Sequence, residues 1–315
     1  MNVAVIGAGM AGLTVARRLQ AAGRTVTVFD KSKGTGGRLA SRSLNEGWVD
    51  HGAPYFSADN SRFADFLPGA ISPDHLQRWE PTVKGALGTD EKVHFIGVPR
   101  NSAVTRALLG DLTFQPSTRI GRLEKSSAGW ELYNDGESLL GSWDQVVVAA
   151  PAPQALALVR DHATLAGQIS RAKMEPSWVV ALQTADRQKN LADVSIAPHP
   201  ALRRITFNTA KKGRGAKNVY LVQATKEWSM EHLEEAPDRV GQKLKAIFCH
   251  IVPDAVDCTI LLTHRWRYAF TEQAVGEACL WDSKHNLGAC GDWCLGRRVE
   301  DAWQSGEALA LEMLR

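Results

Sequence analysis

The chain has 315 residues, of which 44% are hydrophobic, and its formal net charge is +3 at pH 7. A chain of this length can bury a large core in one or two domains. The charges are spread along the sequence and no apolar run approaches ~18 residues, which excludes a basic nucleic-acid-binding protein and a membrane-spanning one.

The first thirty residues have the pattern of a βαβ unit. Residues 2–6 are short, apolar and β-branched, which predicts a buried parallel strand. Residues 10–22 place apolar side chains on one helical face, and Gly23 is suited to end that helix. Residues 25–29 predict a second strand, which ends at Asp30.

Glycines join the first strand to the helix in the pattern G-x-G-x-x-G. Gly7 permits a tight turn, Gly9 lets the backbone approach a pyrophosphate, and Gly12 lets the helix pack close to the strand. The helix N-terminus, at Met10 and Ala11, offers backbone N–H donors to phosphates. These features predict a dinucleotide site; the alternative is a glycine-rich turn that only packs a helix on a sheet.

The acidic residue at the end of the second strand indicates which dinucleotide the site would bind. Asp30 follows the glycine motif at about the ~20-residue spacing of a ribose-binding carboxylate. Such a carboxylate accepts hydrogen bonds from ribose hydroxyls and repels a 2′-phosphate, which disfavours NADP at this position.

A basic, glycine-rich segment replaces the helix that would normally come next. Residues 31–42 begin with Lys31 and contain the run Gly34-Thr35-Gly36-Gly37-Arg38, which predicts a loop. The guanidinium of Arg38 suits a pyrophosphate because it offers a planar fork of donors. The alternative is a surface loop whose arginine lies in solvent.

A second polar motif, Asp50-His51-Gly52-Ala53, follows a short predicted strand, and Tyr55 and Phe56 come shortly after it. An acid beside a histidine suggests acid–base chemistry. Neighbouring residues on a strand point to opposite faces, however, so we do not expect Asp50 and His51 to pair directly.

The middle of the chain alternates predicted strands and helices, with turn signals between them. A basic loop at residues 211–217 is expected to be solvated. The predicted strands are 112–115, 118–124, 129–134, 145–150, 176–184, 202–208, 218–225 and 257–264, and the predicted helices are 101–109 and 236–250.

The C-terminal stretch carries the most informative motif. A strand over residues 287–291 ends at Gly291-Asp292, and a helix is predicted from about Val299 to Leu314. An aspartate at a strand end can accept hydrogen bonds from ribityl hydroxyls, and a helix N-terminus stabilises negative charge at a flavin ring edge. Together with the first motif this predicts FAD, because the longer ligand needs a second anchor; the alternative is an ordinary aspartate at a strand end.

The five cysteines are odd in number and irregularly spaced. Without a recognisable signal peptide, this predicts reduced thiols and a cytoplasmic location. Cys290 and Cys294 flank the Gly-Asp motif, and we expect them to be buried thiols rather than metal ligands. No metal is predicted.

These motifs together resemble the flavin-containing amine oxidase superfamily, and within it the renalase-like branch, especially its bacterial members. The resemblance extends over nearly the whole chain. The stretches that support the branch are Asp50-His51-Gly52-Ala53-Pro54-Tyr55-Phe56, Ala150-Pro151-Ala152-Pro153-Gln154, Lys173-Met174-Glu175-Pro176-Ser177-Trp178, His264-Arg265-Trp266-Arg267-Tyr268 and Cys290-Gly291-Asp292-Trp293-Cys294.

The resemblance implies an α/β, two-domain, FAD-binding Rossmann-like fold of the p-hydroxybenzoate-hydroxylase or amine-oxidase type, with an inserted mixed-sheet substrate domain. The FAD-binding domain is expected at 1–56, 96–155 and 285–315, and the substrate domain at 57–95 and 156–284. FAD would be held without a covalent link. The predicted cofactor-binding residues are Gly7, Gly9, Met10, Ala11, Gly12, Asp30, Lys31, Gly37, Arg38, Gly52, Ala53, Ile120, Gly291, Asp292 and Val299.

The reaction that the resemblance implies is oxidation of 2- and 6-dihydro isomers of NAD(P) to NAD(P)⁺, with O₂ as acceptor and hydrogen peroxide as product. The sequence has no second G-x-G-x-x-G and no C-x-x-C pair, so a hydride donor would enter as a substrate at the flavin. The resemblance does not choose between NAD and NADP forms, and no oligomeric state is predicted.

The predicted substrate-facing residues come from three places. His264, Trp266 and Tyr268 alternate along one strand and share a face, while Arg265 and Arg267 share the other. We predict that the aromatic face borders the flavin, with Tyr55 and Phe56 opposite it and Phe207 and Asn208 from the inserted sheet. The alternatives are a core face of His, Trp and Tyr, or a site lined by the arginine face.

Other functions remain open from the sequence. An oxidase of small or aromatic amines is the main alternative, and a desaturase, a hydroxylase or a flavin-binding protein without turnover are others. Amine oxidation favours a cavity without fixed positive charge near the ammonium. A basic set near the predicted substrate strands favours an anionic nucleotide instead: Arg203, Arg204, Lys211, Arg265 and Arg267.

Overall fold

A computed structural model describes residues 1–85, 93–196 and 199–315. The strands of the described residues are β1 (Asn2–Ile6), β2 (Thr25–Phe29), β3 (Arg42–Leu44), β4 (Gly47–Val49), β5 (Phe56–Ser57), β6 (Leu76–Trp79), β7 (Val83–Lys84), β8 (His94–Gly97), β9 (Thr113–Gln115), β10 (Ile120–Ser126), β11 (Gly129–Asn134), β12 (Leu139–Trp143), β13 (Gln145–Val148), β14 (Lys173–Thr184), β15 (Val194–Ser195), β16 (Leu202–Phe207), β17 (Asn218–Ala224), β18 (Thr259–Gln273), β19 (Leu280–Asp282) and β20 (Leu287–Ala289).

The α-helices in these ranges are α1 (Met10–Ala21), α2 (Ser61–Ala70), α3 (Ser102–Leu109), α4 (Ala152–Leu158), α5 (Ala163–Ile169), α6 (Lys226–Glu231), α7 (Pro237–Ile251) and α8 (Val299–Leu314). None of these helices is both long enough and apolar enough to cross a membrane.

The first sheet has the strand order β19-β20-β13-β1-β2-β9, and its strands β20, β13, β1, β2 and β9 run parallel. Its central strand β1 is buried at Val3, Ala4 and Val5, as expected for a strand covered on both faces. The carboxyl ends of β1, β2, β13 and β20 meet at one edge, where the glycine motif and the Gly-Asp motif follow their strands. Ligands of open parallel sheets bind at such an edge.

Helices α1 and α8 pack against each other beside this sheet through small residues. A Cβ added at Gly12 would lie 2.0 Å from the carbonyl oxygen of Gly7, and one added at Gly306 would lie 2.5 Å from that of Ala11. Glycine at these positions lets the helix backbones approach the first βα turn. The two ends of the chain thus pack against each other.

The second sheet has the order β18-β14-β17-β16-β15-β7 and is antiparallel apart from the β15–β7 pair. Helix α7 covers one face with Val240, Leu244 and Phe248, which are fully buried. The prediction of an α/β fold with an inserted mixed sheet is confirmed.

In two places the packing crosses the predicted domain bounds. Phe63 and Leu67 of α2, expected in the substrate domain, instead join the core of the first domain beside Leu13. Strand β19 at residues 280–282 likewise pairs within the first sheet. Both segments carry apolar side chains, which are buried because the segments pack against α8 and β20. Residues 86–92, within the predicted 57–95 segment, lie outside the described residues.

The strand predicted at 257–264 instead continues to Gln273, which makes β18 fifteen residues long. A bulge interrupts it, because Glu175 and Ser177 on β14 oppose Phe270 and Trp266 on β18. Between these two pairs, one residue of β14 therefore opposes three of β18. The alternation used to place Tyr268 does not hold through this bulge.

Candidate functional site

A cleft of about 1360 Å³ runs from the carboxyl edge of the first sheet to the inner face of the second. This volume exceeds the ~300–1,000 Å³ of pockets that hold one drug-sized ligand, so a dinucleotide and a substrate can share it. Every predicted cofactor-binding residue except Gly12 lines the cleft. Gly12 lies behind it, where it allows the close packing of α1 described above.

The glycine motif has the conformation of a cradle. Gly7 has a φ of +117°, and a Cβ there would lie 2.6 Å from the carbonyl oxygen of Ala149. A Cβ at Gly9 would meet no atom within 4 Å, so the backbone faces open space in the cleft. Gly9 caps α1, whose first residues Met10 and Ala11 line the same space. The residues fit a pyrophosphate at a helix N-terminus.

Asp30 is held in place at the end of β2. Its Oδ2 accepts a hydrogen bond from the backbone N–H of Ala8 at 2.8 Å, and its Oδ1 accepts one from that of Ser32 at 2.8 Å. Each carboxylate oxygen keeps a lone pair for a further donor. A ribose diol at this edge of the cleft would therefore meet a fixed acceptor pair.

The two distant cofactor motifs contact each other directly. Arg38 donates two hydrogen bonds to Asp292, one of them 2.7 Å long from Nη1 to Oδ2, and the other joins Nη2 to Oδ1. Thr271 also donates to Asp292 Oδ2, at 3.1 Å. The Asp292 side chain is 3% exposed and that of Arg38 28%, so the arginine keeps a face toward the cleft. The alternative, a surface loop whose arginine lies in solvent, is thereby excluded.

A second loop holds Arg38 from behind. The backbone N–H of Ala53 donates to the carbonyl of Arg38 at 2.7 Å, and a Cβ at Gly52 would lie 2.0 Å from that same oxygen. Only glycine at position 52 permits this contact. The motif at residues 50–53 thus orders the 31–42 loop beside the cleft.

Three rings form one cluster on the substrate side of the cleft. His51 stacks on Trp266 with ring centroids 5.4 Å apart and meets His264 edge-on at 4.7 Å. The Trp266 Nε1–H donates to the carbonyl of His51 at 2.9 Å. All three residues line the cleft, together with Tyr55, Phe56 and Tyr268. The sequence identified His51 as a motif residue but did not assign it to the site.

Both histidines of the cluster are neutral at neutral pH. Burial, together with the neighbouring His264 and Arg42, lowers the pKa of His51 to about 4. Burial and Arg42 lower the pKa of His264 to about 4 as well. The cluster therefore offers apolar ring faces and neutral ring nitrogens, not charge.

These shifts predict a pH-dependent stability. Histidine titrates near 6.5 when unfolded and about 4 for His51 when folded, so the unfolded chain binds more protons between these values. The folded state is fully favoured above pH 6.5 and is destabilised as the pH falls toward 4. We expect His51→Gln to show a smaller drop in melting temperature between pH 7 and pH 5 than the wild type, and His75→Gln, on the exposed surface, to match the wild type. Equal pH dependence in all three proteins would contradict this assignment.

Asp50 has a structural role that the sequence did not reveal. Its carboxylate accepts hydrogen bonds from Lys211 Nζ at 2.5 Å and Arg214 Nη2 at 2.7 Å, and all three side chains are 0% exposed. Burial alone would raise the pKa of Asp50, but the two cations outweigh it and lower the pKa to about 2. The prediction of a solvated loop at 211–217 is wrong for these two residues. Their positive charges are stable in the core because Asp50 lies between them.

Phe207 and Asn208 do not line the cleft, contrary to the predicted site. Phe207 stacks on Tyr220 at 4.9 Å in the core of the second sheet. Asn208 donates to the carbonyl of Trp48 at 2.8 Å and accepts from the backbone N–H of Asp50 at 3.3 Å. Phe207 ends β16 opposite Tyr220 of β17, and Asn208 follows it. They support the Asp50 loop.

The arginines beside the aromatic cluster direct their charged groups away from it. Arg267 forms two hydrogen bonds with Glu234, at 2.6 and 2.7 Å, and Arg265 donates to the carbonyl of Leu233. Their stems still border the cleft. The aromatic face of β18, up to the bulge, is the one that contacts the His51 loop.

Other cations take the place of these arginines on the cleft wall. Arg204 donates to Gln223 at 2.7 Å and to the Tyr55 hydroxyl at 3.0 Å. Arg203 Nη1 lies 3.2 Å from Glu175 Oε1, and the Arg203 guanidinium lies over the ring of Phe270. Residues that sequence reasoning left out and that line the cleft include Ser177, Gln223, Arg42, Trp48 and Arg297. No local motif marks them, because they converge only through the second sheet and the loops over it.

The five cysteines are free thiols. Cys290 and Cys294 are fully buried beside the Gly-Asp motif, and burial raises the pKa of Cys294 to about 12. Both side chains pack in the core, as expected for inert thiols.

Comparisons with known proteins agree with this geometry. Residues 5–68 match the family described as NAD(P)-binding Rossmann-like domain. The L-amino-acid oxidase of Siganus canaliculatus is 43% identical over 67 residues, which are 21% of this chain and 13% of that protein. The putrescine oxidase of Kocuria rosea is 42% identical over 60 residues, 19% of this chain and 13% of that protein. The matched stretch thus spans about an eighth of the length of these two relatives.

A solved structure described as a protoporphyrinogen oxidase from Exiguobacterium sp. 255-15 superposes with a TM-score of 0.77, at 12% identity, and covers 99% of both chains. At this identity the likeness concerns the fold. The chain therefore matches an NAD(P)-binding Rossmann-like domain over residues 5–68 and, over its whole length, shares the fold of solved oxidases.

Proposed function

We propose that the chain is an FAD-dependent oxidoreductase that oxidises a reduced nicotinamide nucleotide, of the 2- or 6-dihydro-NAD(P) kind, and transfers the electrons to O₂. The observation that carries the proposal is the charge of the cleft wall. Among the described residues, the acids that line the cleft are Asp30 and Asp292, both in the cofactor motifs. Apart from Arg265 and Arg267, whose guanidinium groups turn away to Leu233 and Glu234, the cations that line it are Lys31, Lys33, Arg38, Arg42, Arg100, Arg106, Arg119, Arg203, Arg204, Arg297 and Arg298.

The cofactor would occupy the edge of the first sheet. Asp30 would bind the ribose of the adenosine, the α1 N-terminus and Arg38 the pyrophosphate, and Asp292 the ribityl chain. When bound, FAD supplies the hydride acceptor and the route of electrons to O₂, which gives hydrogen peroxide. The chain's own residues supply position and electrostatics.

The substrate would lie between the aromatic cluster and the basic wall. Trp266 offers a ring face for stacking on a nicotinamide, and His264 offers a neutral ring nitrogen to its amide. Arg203 and Arg204 lie across the cleft, where they would bind substrate phosphates. Neutral histidines also avoid repelling the positive charge that forms on the nicotinamide ring as hydride leaves.

The test is anaerobic mixing of the purified, FAD-loaded protein with a panel of reduced nicotinamide isomers, amines and amino acids, followed by flavin absorbance. We expect rapid bleaching with 2- or 6-dihydronicotinamides, then peroxide formation when air is admitted. Protein that does not bind FAD, or bleaching by amines alone, would contradict the proposal.

A second candidate is an oxidase of amines or amino acids, favoured by the names of the two relatives. The scarcity of acids on the substrate side counts against a free ammonium group there. A third, a flavin-binding protein without turnover, predicts no peroxide with any member of the panel.

The aromatic face should matter for binding. We expect Trp266→Leu to weaken substrate binding about 10-fold, because a stacked ring is worth ~1–1.5 kcal/mol. Arg265→Ala should leave binding within about twofold, since its guanidinium bonds the carbonyl of Leu233 instead of facing the rings. Substrate dissociation constants and limiting flavin-reduction rates measure both. The opposite pattern would assign the arginine face to the site.

A further inference from the structure

A cluster of two histidines and an aspartate lies at the end of the first sheet opposite the cleft. Asp282 ends β19, His285 lies in the turn before β20, and His162 precedes α5. Strand β20 begins at Leu287, the partner of Asp282, and ends next to Gly291 in the cleft. The cluster is thus separated from the cleft by the length of the strand.

The side chains converge on one oxygen. His285 Nδ1 lies 2.9 Å from Asp282 Oδ2, and His162 Nε2 lies 3.4 Å from the same atom. The three ligand atoms all lie within 4.8 Å of one another. Ligands of a tetrahedral Zn²⁺ at ~2.0–2.2 Å from the metal are about 3.3–3.6 Å apart. The 3.4 Å separation already has that value, and the 2.9 Å one, now a hydrogen bond, would lengthen by about 0.5 Å on binding.

The cluster has polar atoms without partners. His162 is 13% exposed, and neither of its ring nitrogens has a hydrogen-bond partner among the described residues, although both are buried from solvent. A buried imidazole without hydrogen bonds is costly. Coordination of a cation by Nε2 would remove part of this cost.

The backbone around the cluster is fixed. The Trp130 Nε1–H donates to the carbonyl of His285 at 2.8 Å, and the His285 N–H donates to Asp282 Oδ1 at 3.1 Å. The ligands therefore come from two segments, the α4–α5 connection and the β19–β20 turn, that a shared cation would join.

We propose that His162, Asp282 and His285 form a binding site for a divalent transition-metal ion, Zn²⁺ by its ligand set, with water as the fourth ligand. Two imidazoles and one carboxylate suit Zn²⁺ better than Mg²⁺ or Ca²⁺, which prefer oxygen ligands. Because the site is remote from the cleft, the ion would stabilise the fold and not take part in redox chemistry.

The test is a Zn²⁺ titration of chelator-treated, FAD-loaded protein in competition with a chromophoric chelator. We expect one Zn²⁺ per chain, a higher melting temperature with Zn²⁺, and visible absorption of the tetrahedral kind when Co²⁺ replaces it. His162→Gln and Asp282→Asn should each weaken Zn²⁺ binding at least 10- to 100-fold, the range found even for residues that only support a ligand.

His250→Gln is the matched control, since His250 is exposed on α7 in the other domain, and should bind Zn²⁺ like the wild type. Asp282→Asn keeps the shape and an acceptor oxygen, so it tests the site even if His162→Gln does not fold. Less than one Zn²⁺ per chain, or wild-type affinity in Asp282→Asn, would overturn the proposal.

Discussion

Replacing Asp50 by alanine is expected to lower the free energy of unfolding by about 3–5 kcal/mol, because it leaves two buried cations without a counter-ion. Lys211 and Arg214 are 0% exposed and bond the same carboxylate oxygen. Burial already lowers the pKa of Lys211 to about 8, and Asp50 is the group that opposes this shift. Urea unfolding of the two proteins measures the difference.

Two further variants set the scale of this effect. Asp111→Ala removes a carboxylate that is 79% exposed and pairs with Arg17, so we expect a loss below about 1 kcal/mol. Lys211→Met removes one of the two buried cations and leaves the Asp50–Arg214 pair, so its loss should be smaller than that of Asp50→Ala. A loss for Asp50→Ala no larger than that for Asp111→Ala would show that the buried cluster contributes nothing.

Replacing Asp292 by alanine is expected to weaken FAD binding roughly 10- to 100-fold, since a hydrogen bond to a charged group is worth ~1.5–3 kcal/mol. The carboxylate also orients Arg38 through two hydrogen bonds, so its removal leaves the arginine free to turn from the pyrophosphate. The effect should therefore reach beyond the one bond to the ribityl chain.

The FAD dissociation constant of the refolded or flavin-stripped protein is the measurement, and Asp292→Asn should lie between wild type and Asp292→Ala. Asp111→Ala, distant from the cleft, serves as the control. If Asp292→Ala binds FAD as tightly as the control, the role of the Gly-Asp motif as a cofactor anchor is wrong.

The positions of the cofactor motifs were predictable because their signals are local. Gly7, Gly9 and Asp30 lie within one βαβ unit, and strand ends of a parallel sheet meet at one edge whatever the rest of the chain does. The Gly291-Asp292 motif could be placed at that edge by the same rule. Most predicted strands and helices agree with the structure within a few residues for a similar reason, since periodicity reports which face of a segment is buried.

The predictions of which strand residues face the cleft, made from the alternation of side chains along a strand, agree with the structure only in part. His264 and Trp266 share a face as expected, and Tyr268 lines the cleft as well, although a bulge interrupts the register beside it. Phe207, predicted to line the cavity, lies instead in the core beside Tyr220. The sequence of a strand does not indicate which of its two faces borders the cleft.

The sequence by itself determined the dinucleotide-binding turn and the order of the elements around it, because glycine geometry, helix periodicity and strand composition act within about thirty residues. Only the tertiary structure decided the partners of Asp50, Arg38 and His51, which lie 161, 254 and 215 residues away at Lys211, Asp292 and Trp266. Such pairs form only when the two sheets pack and bring groups from distant parts of the chain within bonding distance. Which groups pair depends on desolvation and geometry across the whole fold, and no local sequence pattern predicts it.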